Sequence, residues 1–262
     1  MALQSSEARP GADRAPQASL VDSSWRRISS LEKLRRPMLA RVVPFALYLF
    51  FLIAAQCVDL LADAMALNQE WKISLQLWLY PVKTLAVLAA LVLYWPFYEE
   101  LKTSWCPTWR QMVLAGITGL LVYLAWIRLA WPWAAQGLAG GYNPFQANDG
   151  MGAMLAGMRL FGGVVVVPIM EELFWRSFLL RYLISRQFQS VPLGAFTLGS
   201  CAITVLLFGV EHNLWLAGMM AGLAYTLVLY RTRNLWACIV AHAVTNLLLG
   251  LYVLTTGEWH WW

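Results

Sequence analysis

The chain has 262 residues, 60% of them hydrophobic and 13% charged, with a formal charge of +5 and a mean hydropathy of +0.57. A soluble globular domain carries about 25% charged residues, so that class is excluded. The basic residues cluster between the apolar runs, which leaves no soluble basic face on which a nucleic acid could dock. The 15 tryptophans and 10 tyrosines suit a polytopic membrane protein, whose amphipathic rings settle at the two interfaces.

Residues 1–36 are polar, rich in Ser, Ala, Pro and Arg, and lack apolar periodicity. They read as a disordered cytoplasmic tail, and the first apolar run starts too late for a cleaved secretory signal. Residues 37–151 supply accessory spans near 38–61, 76–98 and 111–132. Residues 152–256 form a core with spans near 152–184, 192–211, 213–230 and 235–256. Most of these runs reach the roughly 20 apolar residues that a crossing helix needs. The 152–184 run is longer than one crossing requires, and Gly162-Gly163 and Pro168 are where it kinks or divides. The expected fold is therefore an all-α transmembrane bundle of seven or eight spans.

Charge sets the orientation. Arg26, Arg27, Lys33, Arg35, Arg36 and Arg41 precede the first span, Lys102 and Arg110 follow the second, Arg181 and Arg186 the fourth, and Arg231 and Arg233 the sixth. The opposite loops hold only Lys72 in 62–75 and neither Lys nor Arg in 133–150 or 255–262. By the positive-inside rule the N-terminus is cytoplasmic and the C-terminus external in a multi-pass membrane protein. Residues 257–262 form an external aromatic tail in which Trp259, Trp261 and Trp262 read as an interfacial belt, with His260 an interface residue rather than a ligand.

Cys57, Cys106, Cys201 and Cys238 have no C-x-x-C or metal-finger spacing, and three fall in apolar runs, so they read as buried or inert thiols. Gly218-x-x-x-Gly222, flanked by Ala217 and Ala221, bares one helix face for close backbone approach and predicts a central packing helix without chemistry.

The chemistry lies in three strings: Glu171-Glu172-x-x-x-Arg176, Phe208-x-x-x-His212 and His242-x-x-x-Asn246. Ionisable groups at bilayer depth cost about 2.5–3.5 kcal/mol each on insertion scales, so they mark functional sites. Glu172 and Arg176, four apart, share a helix face and can pair. Glu171 is turned about 100° away and meets a different neighbour, where a carboxylate suits general-base activation of water. His242 and Asn246 also share a face, from which an imidazole and an amide can donate to an oxyanion. His212 can orient a water, share a proton with Glu171 or bind a metal. Structural ion pairs and packing histidines are the plainer alternative, but three such strings on three helices weigh against it.

In that order the strings resemble the three motifs of the CPBP family, which contains CaaX prenyl endopeptidases and bacteriocin-processing or immunity proteins. The likeness covers about 152–256. Phe208–His212 and the Ala241–Gly250 segment also resemble a subgroup of CaaX-protease-related proteins associated with exosortase systems. The resemblance implies an intramembrane endopeptidase in which Glu171 activates water, His212 assists, and His242 and Asn246 form the oxyanion hole. Glu172, Arg176 and Phe208 would be supporting residues. It implies no cofactor; if the enzyme were zinc-dependent, Glu171, His212 and His242 would be the ligands. The expected partners are a membrane-anchored protein or peptide substrate, such as one of an exosortase sorting system, and the bilayer itself, with no nucleic acid. The alternatives are a non-proteolytic binding or immunity protein on the same fold and a transporter, the latter weakened by the lack of an inverted repeat. One geometric tension remains. Short turns at 187–191 and 231–234 put His212 near the external end of its helix, but His242 only about 10 Å above the start of its own.

Overall fold

The computed structural model describes residues 15–65, 68–103, 106–136, 141–146 and 150–262, with backbone alone for 15–34, 63 and 69. Its helices are α1 (Ala15–Ala64), α2 (Gln69–Leu93), the short α3 (Glu99–Thr103), α4 (Trp109–Arg128), α5 (Gly152–Tyr182), α6 (Leu198–Glu211), α7 (Trp215–Thr232) and α8 (Leu235–Thr256). No strand occurs among the described residues, apart from one isolated bridge between Ala135 and Leu214. Side-chain caps fix several helix starts. Asn68, Thr108, Thr197 and Asn234 accept from the first turns of α2, α4, α6 and α8, and Thr108 with Gln111 completes a capping box.

Three features differ from the sequence expectation. α1 begins at Ala15, so 15–36 are helical where a disordered tail was expected, and residues 1–14 lie outside the described residues. The stretch Leu31–Arg36 is built from strong helix formers and extends the helix of the first span. Second, among the described residues five helices, where seven or eight spans were expected, are long and apolar enough to cross a membrane: Arg35–Ala62 of α1, Glu70–Leu93 of α2, α4, α5 and α8. α6 has only 14 residues, because the break at 191–197 shortens it, whereas α7 keeps the expected 18 but is less apolar. Third, α5 neither divides nor stays a plain α-helix. It passes through π-helical turns at Gly162–Val166 and Leu173–Leu179, on either side of Glu171-Glu172. Pro168 directly follows the upper, N-terminal π turn, whose i→i+5 bonding accommodates its missing N–H.

α8 packs along α4, and α6 packs along α7. The small residues predicted to pack do so. An added Cβ at Gly218 would stand 3.1 Å from Gly209 Cα and from His212 Cβ, and one at Gly222 would stand 3.1 Å from Phe208 Cδ1. Gly119 is tighter still, since a Cβ there would be 2.5 Å from the carbonyl oxygen of Ala241 and 2.7 Å from Val244 Cβ. Gly119→Ala is expected to cost about 1–3 kcal/mol by forcing α4 and α8 apart. Gly116→Ala on the same helix meets open space and should be neutral or slightly stabilising. Thermal unfolding of the two variants in detergent checks the contrast.

A buried ion cluster joins the accessory helices to the core. Arg41 of α1, 1% exposed, donates from Nη2 to both Glu100 carboxylate oxygens at 2.7 and 2.6 Å, and from Nε to Ser177 Oγ of α5 at 3.0 Å. Ser177 also donates to Glu100, and Arg181 Nη2 lies 4.0 Å from the same carboxylate. Burial pushes the Glu100 carboxyl up, but the Arg41 guanidinium and the Ser177 hydroxyl outweigh it and hold it below the usual 4.5.

Cys201 and Cys238 are buried as free thiols, whereas Cys57 and Cys106 are exposed. Cys57 sits within the first span, but on its outward face. The C-terminal aromatics also depart from a simple belt. Trp261 and Trp262 fold back over the core and line its cavity, with the Arg159 guanidinium 5.7 Å from the Trp262 ring, while His260 stays exposed.

Candidate active site

Four polar residues singled out from the sequence meet at one cavity of about 190 Å³, lined by Glu171 of α5, His212 at the end of α6, and His242 and Asn246 of α8. The tension over helix ends is relieved by α6. At 14 residues it rises about 21 Å, less than the roughly 30 Å hydrocarbon core, and His212 is its C-cap. The loop after α4 clips this tip: Gln136 N donates to Asn213 O at 2.8 Å, and its side-chain amide donates to the carbonyls of Val210 at 3.2 Å and His212 at 3.3 Å.

The Glu pair divides as its spacing implies. Glu172, fully buried, accepts from Arg176 Nη1 at 3.1 Å across one helical turn. The same oxygen lies 3.0 Å from His242 Nδ1. An Nδ1–H donated to this carboxylate fixes the imidazole and turns Nε2 toward Glu171, whose Oε2 stands 4.0 Å away. Arg176 in turn donates to Gly222 O at 3.1 Å and lies over the Phe208 ring at 4.4 Å. Glu171 is turned to the cavity, and its Oε2 is buried with no hydrogen-bond partner. A buried carboxylate oxygen without a partner is costly enough to call for a role.

The remaining groups are held by their backbones and by rings. His212 Nδ1 is 2.6 Å from Phe208 O, an i−4 contact that leaves Nε2 as the second ring nitrogen. Asn246 Nδ2 donates one hydrogen to Gly163 O at 2.7 Å, in the upper π turn of α5, and keeps the other. Phe208, 1% exposed, has its ring 4.7 Å from that of His212 and 6.3 Å from that of His242, so it lies against both imidazoles.

Several lining residues were not anticipated. Tyr225 stacks on His242 at 4.9 Å and 18°, and its hydroxyl donates to Thr245 Oγ1 at 2.8 Å. Thr245 lies one turn from Ala241 on α8, so an i−4 reading beside His242 could have found it. Glu211, outside the lining, keeps one carboxylate oxygen buried without a partner and had a visible signal, a carboxylate next to a motif histidine. Tyr48 and Arg159 also line the cavity.

The zinc alternative requires Glu171, His212 and His242 to converge as ligands. Among the described residues no three His, Cys, Asp or Glu side chains are grouped to hold a metal ion. Both Nδ1 atoms are committed, to Phe208 O and to Glu172, which leaves the two Nε2 atoms open. No step is routed through a metal.

The arrangement can present a carboxylate and two imidazole Nε2 atoms to a small polar space walled by aromatic rings. Residues 154–248 match the family model described as Type II CAAX prenyl endopeptidase Rce1-like. No curated protein and no solved structure matches the chain. The matched segment takes in all three motifs and every motif residue that meets at the cavity, so this multi-pass helical protein carries an Rce1-like domain of the CPBP family.

Proposed function

We propose that the protein is a glutamate-type intramembrane endopeptidase that hydrolyses a peptide bond in a membrane-anchored protein. The observation that carries this reading is the convergence of Glu171, His212, His242 and Asn246 on one cavity, with a Glu171 oxygen buried and unpaired. The 4.0 Å between Glu171 Oε2 and His242 Nε2 suits a bridging water better than a direct hydrogen bond. Glu171 takes a proton from that water as its oxygen adds to the scissile carbonyl carbon. The proton then passes to the leaving amine as the C–N bond breaks. The oxyanion is met by the uncommitted N–H of Asn246 and by the His242 ring, which the Glu172 carboxylate holds in place. His212 Nε2 positions the water. The substrate class is a membrane protein, with a sorting-signal protein of an exosortase system the first to test, and the N-terminus is cytoplasmic in a bacterial inner membrane.

Asn246→Ala is expected to lower kcat by about 10²–10³ with little change in KM, because the amide serves the developing oxyanion rather than the bound substrate. Steady-state kinetics on any identified substrate checks this. The identifying experiment compares membrane-protein termini in cells carrying the unsubstituted protein or Glu171→Gln at matched levels. A terminus seen only with the unsubstituted protein supports proteolysis and identifies the substrate. Equal termini at deep coverage would move the reading to a non-proteolytic binding protein, and cleavage that stops with a chelator and returns with zinc would overturn the metal-free mechanism.

A further inference from the structure

Among the described residues, the buried arginines have carboxylate neighbours. Arg41 and Arg181 lie 2.6 and 4.0 Å from Glu100, and Arg176 lies 3.1 Å from Glu172. Lys83 of α2 breaks the rule. It is 6% exposed, yet no carboxylate among the described residues lies within ion-pair distance. Its Nζ instead lies 4.2 Å from the Tyr48 ring centroid and 4.7 Å from that of Tyr80. The Arg159 guanidinium is 4.4 Å from the same Tyr80 ring, and Arg159 Nε is buried without a hydrogen-bond partner. Two cations thus share one aromatic wall. Cation–π contact returns well short of the cost of desolvating an ammonium.

Lys83 and Arg159 line a second cavity, of about 300 Å³, together with Gln76 and Tyr142. Tyr48, Arg159 and Trp262 border both this space and the cavity of Glu171 and His212, so the two are neighbours across a shared wall. Depth selects the anion. Lys83 is 14 residues into α2 from Gln69, about 21 Å along the axis, near the middle of a hydrocarbon core of roughly 30 Å. A phospholipid phosphate stays at the interface, whereas a peptide threaded to the catalytic cavity reaches this depth.

We infer that Lys83 and Arg159 form an anion subsite beside the catalytic cavity that receives a carboxylate of the peptide substrate close to the scissile bond. The inference rests on the protease reading, and its test separates the two. Full-length Glu171→Gln protein in phosphatidylcholine nanodiscs is offered three mixed-sequence palmitoylated peptide libraries carrying a photoreactive group. One has a fixed Gln and an amidated end, one a fixed Glu and an amidated end, and one a fixed Gln and a free C-terminal carboxylate.

At least one carboxylate-bearing library is expected to crosslink tenfold or more above the neutral one. Lys83→Met should remove that preference and Lys83→Arg should keep it. Lys83→Met should also unfold at a higher temperature, since it removes an uncompensated buried cation, so loss of preference cannot be laid to misfolding. Equal capture of all three libraries, or a preference unchanged in Lys83→Met, overturns the subsite. So does a preference abolished by phosphatidylglycerol in the nanodisc, which would assign the cations to a lipid phosphate. The unsubstituted protein is assayed for cleavage of the same libraries. Selective capture with no cleavage counts against the protease reading and leaves the subsite standing.

Discussion

Glu171→Gln is expected to reduce peptide cleavage by about 10²–10⁴-fold, the span that general acid–base catalysis contributes, while the protein stays folded and inserted. The substitution is nearly isosteric, and Glu171 Oε2 makes no hydrogen bond, so no partner of that oxygen is lost. The Glu172–Arg176–His242 arrangement does not depend on it. An amide cannot accept the water proton, so the loss should fall on kcat and leave substrate capture intact. Glu172→Gln should differ in kind, since it would weaken the Arg176 pair and the grip on the His242 ring together. Single-turnover cleavage with thermal unfolding alongside checks both halves. Near-normal turnover in Glu171→Gln would sink the glutamate mechanism.

The second large effect lies at the other end of the core. Glu100→Ala is expected to destabilise the fold by about 3–5 kcal/mol, because it leaves Arg41 buried at 1% exposure without its carboxylate. Replacing both, Arg41→Met with Glu100→Met, should cost less than Glu100→Ala alone, since the Arg41 charge goes with its partner and only the more distant Arg181 loses a carboxylate. The pair also carries a pH signature. Glu100 is held below its unfolded value of 4.5, so its contribution is fully present above that pH and is lost as pH falls through the lower folded value. Acid unfolding of the unsubstituted protein should therefore steepen below about pH 4.5, and the double Met variant should lack that component. Thermal unfolding in detergent across pH 3–7 measures both.

Much of the bundle was written in hydropathy, because lipid demands long apolar runs and each of the five full-length crossings shows one. The α6–α7 hairpin was harder to read. Its apolar runs are continuous enough to suggest two full spans, and only the Thr197 cap reveals that α6 is short, while α7 keeps its expected length. Within the site, the Glu172–Arg176 pair followed from i,i+4 spacing. The Glu172–His242 bond joins residues 70 apart and depends on how α5 meets α8, which no local pattern records. The stacking of Tyr225 on His242 is hidden for the same reason. Lys83 and Arg159 had a signal, since each is a cation inside an apolar run, but motif-centred reading passes over lone charges.

The two π turns of α5 have a mechanical consequence. A π turn closes its hydrogen bonds on i→i+5 and so takes up one residue more than the helix around it. The Glu pair is therefore a short rod held between two lengths of slack, at Gly162–Val166 and Leu173–Leu179. Slack of this kind can travel along a helix by exchanging one backbone bond at a time. A shift of a single residue would swivel the intervening carboxylates by about 100° while the helix ends stay in place. Asn246 holds the carbonyl of Gly163 in the upper turn at 2.7 Å, so it grips the bearing on which Glu171 would swing.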